Sequence, residues 1–230
     1  MIILKFSLKR TFRNFWAILL SFILPAGLLL LPVFWEGESF VVGRGYFFIL
    51  IIIMLGAFPL TQLMVDDKKQ KTIVRIMSTP TTTFKYLSQN FAASMTPLML
   101  QIIFICIFGF IRYSWEIGFT LQLGLVYTLF AATSVSLAMA WNCLFKNAEV
   151  NMAALTTFAM FSLFFGIFVS VDQLNNALRT IGMLFPSYWA SVGIETLIDN
   201  GLSFDFLMPM GVLALFTVIF LLYGSKRGAY

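Results

Sequence analysis

An all-α integral membrane protein with six transmembrane helices is expected from this 230-residue chain on three grounds. Hydrophobic residues make up 60% of it and charged residues only 11%, a balance that excludes an ordinary water-soluble globule. Six uncharged apolar stretches, 15–34, 45–65, 91–111, 119–141, 152–171 and 206–223, together take 123 of the 230 residues. Each has the ~17–25 residues that a helix needs to span the hydrocarbon core. The connections between them are short, so 1–230 reads as a single transmembrane domain with no room for a soluble nucleotide-binding fold.

The chain begins with a basic amphipathic segment, 1–14. Leu4, Leu8, Phe12 and Phe15 follow helical spacing on one side and Lys5, Lys9 and Arg13 run along another, the pattern of a helix lying in the headgroup plane. The first span is too long and too late for a cleavable signal peptide, and Met1 is expected to begin the mature protein. Pro25, Pro59 and Pro97 stand in spans 1, 2 and 3, each removing a backbone donor and favouring a bend.

The distribution of charge sets orientation, because Lys and Arg near span ends resist translocation. With both termini inside, 12 of the 15 basic residues are cytoplasmic and only Arg44, Arg112 and Arg179 are outside. Seven of the ten acids fall outside. The formal net charge of +5 thus sits where anionic inner-leaflet lipid would meet it, which makes membrane lipid and not nucleic acid the expected partner.

The longest cytoplasmic connection, 66–89, holds a short helix over 66–80. Asp66 and Asp67 stand at its start, where they favour the helix dipole, and Pro80 stops it. Ile73, Ile76 and Met77 give it an apolar face at helical spacing. After span 5 comes an extracellular helical hairpin, 173–200. Leu174, Leu178, Ile181 and Phe185 form an i, i+4, i+7, i+11 stripe behind Asp172 as N-cap, and Pro186 ends that helix. A second helical stretch over 187–199 carries Tyr188, Trp189, Ile194 and Leu197 and closes on Asn200-Gly201.

Much chemistry is missing. Histidine is absent, which removes the commonest general base and the usual zinc ligand. No Gly-rich loop ends in Gly-Lys-Ser/Thr to cradle a phosphate, so no catalytic, cofactor or metal site is expected. No acid lies inside a span, which counts against proton coupling, and no arginine does, which counts against voltage sensing. Cys106 and Cys143 fall in different spans and read as buried small hydrophobes. Gln62, Ser94, Thr96, Gln101, Gln122, Thr133, Ser134, Ser136, Asn142, Asn151, Thr156 and Thr157 lie in or at the ends of spans. They are expected to bond between helices, at about 0.6 kcal/mol each, with a place on a substrate path as the lesser reading.

The run Asp67-Lys68-Lys69-Gln70-Lys71-Thr72-Ile73-Val74-Arg75-Ile76-Met77-Ser78-Thr79-Pro80 resembles the cytoplasmic signature between spans 2 and 3 of ABC-2 type transporter permeases. Phe185-Pro186-Ser187-Tyr188-Trp189 is similar to the outer hairpin that precedes the last span in that family. Lys69 stands where an acid is frequent and Lys71 where Gly is frequent, leaving the helix more basic. The resemblance implies the membrane subunit of an ABC exporter, in a bacterial plasma membrane, pairing with a second permease as a homodimer or heterodimer. It also implies two cytoplasmic ATPase subunits, which hold ATP and Mg. Asp66, Asp67, Lys68, Thr72, Ile73, Arg75, Ile76, Met77 and Pro80 would form the coupling helix on the ATPase. Leu174, Leu178, Ile181, Phe185, Pro186, Tyr188 and Trp189 would form an extracellular gate. The implied cargo is an amphipathic drug, an antimicrobial peptide or a lipid, with lipid-linked polysaccharide as runner-up. The competing classes are a channel or secondary carrier working without ATP, and an intramembrane hydrolase, which here would lack a base.

Overall fold

The computed structural model describes residues 7–10, 12–13, 19, 23–31, 45–69, 82–143, 148–165, 167–169, 175–200 and 203–227. Its helices are α1 (Leu24–Leu30), α2 (Gly45–Lys69), α3 (Thr83–Tyr113), α4 (Ile117–Asn142), α5 (Ala148–Phe164), α6 (Asn176–Gly182), α7 (Pro186–Asn200) and α8 (Phe204–Arg227). Among the described residues extended pairing amounts to one isolated bridge, Phe165 with Val169. Among the described residues three helical stretches are long and apolar enough to cross a membrane: Phe84–Tyr113, Ile117–Asn142 and Phe204–Lys226. Gly45–Thr61 and Ala153–Phe164 are shorter apolar helices. The described residues are therefore all-helical apart from that bridge, with several apolar spans.

Helix α4 is the centre. It packs against α2, α3, α5, α7 and α8, and Leu123, Val126, Tyr127, Phe130, Ala131, Val135 and Ala138 on it are fully buried. A helix hydrophobic all round belongs in such a position. Its second half is rich in Ala, Ser and Thr, and small side chains let helix backbones approach closely. The approach shows at Gly224 of α8, where an added Cβ would lie 3.6 Å from the Ala140 Cα.

Several boundaries differ from the apolar stretches. α3 starts well before Phe91, capped by Thr82, whose side chain accepts from the Lys85 N–H. Its first turns carry Lys85, Gln89 and Asn90 and so fall outside the uncharged apolar stretch that begins at Phe91. α2 runs through Lys69, so the backbone at Asp66, Asp67 and Lys68 continues span 2 and does not open a separate helix; helical bonding propagates through charged residues once they stand clear of the hydrocarbon. α5 ends at Phe164, short of the expected Val171. The Phe168 N–H donates to Leu163 O and the Val169 N–H to Phe164 O, both at 3.3 Å, bonds of i to i−5 spacing that wind the chain out of the helix.

Pro59 and Pro97 lie inside α2 and α3. Pro25 instead stands in the first turn of α1, where a missing N–H costs least. Of the N-terminal segment, residues 7–10 form a helical turn, and the Ser7 Oγ donates to Asn90 Oδ1 at 2.8 Å near the start of α3.

Candidate functional site

Two regions gather polar and aromatic side chains inside this apolar frame. The first joins α5, α6 and α7. Asn175 caps α6 by accepting from the Leu178 N–H at 2.9 Å. α6 ends at Gly182 and not at Phe185. Pro186 disfavours helical angles in the residue before it, and Gly182 leaves room for the Tyr188 ring, which a Cβ there would meet at 2.9 Å. Pro186 therefore opens α7. The expected four-residue stripe is split as a result. Leu178 and Ile181 are exposed, Phe185 is buried in the turn, and Leu174 and Asp172 lie outside the described residues.

The turn is fastened to α5 and α7 by directional contacts. Phe185 stacks on Phe165 with ring centroids 5.2 Å apart and planes 12° apart, and lies against Phe158 and Phe161 at 5.4 and 5.6 Å. The buried hydroxyls of Ser162 and Ser187 meet at 2.8 Å, and Ser187 Oγ also donates to Ser162 O. The Trp189 indole N–H donates to Met183 O at 2.8 Å, and Arg179 Nε donates to the Tyr188 hydroxyl at 3.2 Å. Tyr188 and Trp189 thus brace the hairpin from the α7 side. This leaves a rigid block with an apolar outer edge of Leu178, Ile181 and Leu184.

The second region is the end of the bundle where α2, α4 and α5 meet. Asn142 Nδ2 donates to Thr61 O at 3.4 Å, and Asn151 Nδ2 donates to Asn142 Oδ1 at 2.6 Å. Both asparagines are almost fully buried. This seam stands eight residues from Lys69, the last described residue of α2.

Residues 37–226 match the family model described as ABC-2 family transporter protein. The chain belongs to the ABC-2 transporter family. The match takes in about four fifths of the chain, and comparison with curated proteins finds no match. As an ABC-2 protein it is a multi-pass membrane subunit of an ABC transporter, a class that works with an ABC ATPase subunit. Of the residues expected from the sequence to couple to an ATPase, Asp66, Asp67 and Lys68 lie in the last turns of α2. Thr72, Ile73, Arg75, Ile76, Met77 and Pro80 lie outside the described residues.

The polar span residues divide into two kinds. Ser94 donates to Leu60 O, the Thr133 hydroxyl meets Leu213 O and Thr217 Oγ1 of α8 as well as Leu129 O of its own helix, and Asn142 and Asn151 bond as above between helices. Thr96, Ser134, Ser136 and Thr157 bond back to carbonyls of their own helix. Gln101 is fully buried, and its amide atoms find no partner among the described residues. The Ser162–Ser187 pair and the Arg179–Tyr188 bond had no signal in the sequence beyond the residue types, since each depends on how the hairpin folds back on α5.

Proposed function

We propose that this chain is the permease of an ATP-driven exporter, moving an amphipathic drug, antimicrobial peptide or lipid-like cargo outward. The family match over 37–226 carries the reading. The permease itself performs no catalysis. Two ABC ATPase subunits hold ATP and Mg and hydrolyse it on the cytoplasmic side, and a second permease completes the path. The segment from Asp66 to Pro80 docks on the ATPase. The seam of Thr61, Asn142 and Asn151 supports this, since it ties α2, which leads into that segment, to α4 and α5. A push on the segment would then move the inner ends of three helices as one body. The hairpin of α6 and α7 acts as the external gate, its aromatic lock against α5 favouring rigid-body opening over loop motion.

The test is the permease reconstituted with its ATPase in inside-out vesicles. ATP should drive uptake of a fluorescent amphipathic cargo, and Ile76→Asp should lower that uptake about tenfold or more, the size of losing an interface hot spot. The variant should still insert normally. Wild-type co-purification and cargo-stimulated hydrolysis in Ile76→Asp would remove the docking assignment.

A further inference from the structure

Between α1 and α3 the surface holds a cavity of about 560 Å³ lined by Ile23, Ala26, Gly27, Leu30 and Phe104, none with a polar side chain. Gly27 keeps it open, for a Cβ added there meets nothing within 4 Å. From Phe104 a strip of rings climbs α3. The Phe104 and Phe108 centroids are 6.2 Å apart and those of Phe108 and Tyr113 6.4 Å. The strip ends at a cation, the Arg112 guanidinium carbon lying 5.9 Å from the Tyr113 ring centroid. The Tyr113 hydroxyl donates to Leu29 O at 2.8 Å, which pins α1 to α3 and holds the cavity's shape. Arg112 stands eight residues beyond Phe104, a rise of about 12 Å along the helix.

We propose that this groove binds an anionic phospholipid from the leaflet on the Arg112 side. One acyl chain lies against Gly27 and Phe104, and the phosphate meets Arg112. A guanidinium matches phosphate with paired donors, and the aromatic strip between cavity and cation is a continuous apolar wall for the chain. A lipid supplies both the apolar length and the anion that this wall asks for. A protein segment would have to bring an apolar ridge and a carboxylate in the same register. The proposal needs only the membrane placement of the chain, so it stands or falls apart from the export reading.

The test uses the full-length permease in phosphatidylcholine vesicles containing phosphatidylglycerol with a photoreactive acyl chain. Labelling should map to the α1 and α3 peptides that carry Gly27 and Phe104. Gly27→Leu, which fills the groove, should reduce it about tenfold. Arg112→Gln, at an exposed position that leaves the core untouched, should reduce it about fivefold, with Arg112→Lys, which keeps the charge but not the paired donors, falling between Gln and wild type. Unchanged labelling in both Gly27→Leu and Arg112→Gln would overturn the site. So would efficient disulfide formation between two copies carrying Leu30→Cys, because a second chain would then occupy the groove.

Discussion

Gly109 has no room for a side chain. An added Cβ would sit 2.1 Å from a ring carbon of Trp115, and that indole is itself buried, held against Tyr46 and Phe119 with centroids 5.3 and 6.0 Å away. Gly193 also looks crowded, but its nearest neighbour is the terminal Met210 Cε at 2.7 Å, which can swing aside. Gly109→Ala should therefore destabilise the detergent-solubilised protein by roughly 1–3 kcal/mol. Gly193→Ala, with its helix-propensity gain of roughly 0.5–1 kcal/mol, should be neutral or mildly stabilising. Thermal denaturation of the two variants beside wild type checks the pair: no loss in Gly109→Ala would mean that the Trp115 ring is free to move, and a loss in Gly193→Ala that Met210 is not.

At the level of elements, the sequence revealed apolar stretches but not where helices stop. Gly166, Ile167, Phe168 and Val169 are as apolar as any span, so nothing in composition marks the end of α5. Just past the end Phe165 stacks on Phe185, a tertiary contact that no local pattern encodes. The outer helix was legible as a stripe, yet the Tyr188 ring that packs on Gly182 and bonds Arg179 is not part of that stripe. Helical bonding is blind to hydropathy, so α3 and α2 run past their apolar segments. The hairpin invites two contrasting variants. Tyr188→Phe removes the Arg179 bond and should cost ~1.5–3 kcal/mol as a hydrogen bond to a charged group, lowering the melting temperature and raising basal ATP hydrolysis. Leu178→Ser with Ile181→Ser changes side chains already exposed, so the fold should keep its melting temperature while leak or basal hydrolysis rises. A double variant that transports and hydrolyses like wild type would reduce the hairpin to a surface anchor.

For the whole molecule, the asymmetry of charge makes the topology directly testable. Single cysteines in place of Glu38 and Asp205, in a background lacking Cys106 and Cys143, should react with an impermeant thiol reagent applied to intact cells, and one at Lys226 should not. Asp205 is a clean reporter, being exposed in the first turn of α8. Labelling at Lys226 from outside would invert the arrangement.

The central position of α4 also bears on how the protein is made. α3 and α4 are joined by only three residues, Ser114 to Glu116, with Ser114 in the left-handed region at φ 51°. These two helices can pair as soon as both have left the ribosome. The face of α4 that carries Thr133 must wait for Leu213 and Thr217 of α8, which is made more than sixty residues later. Until then a run of small and hydroxyl-bearing residues lies uncovered in the lipid. A nascent chain stalled before Phe204 would present that face to membrane chaperones and proteases, making the arrival of α8 the step that hides the α4 surface from quality control.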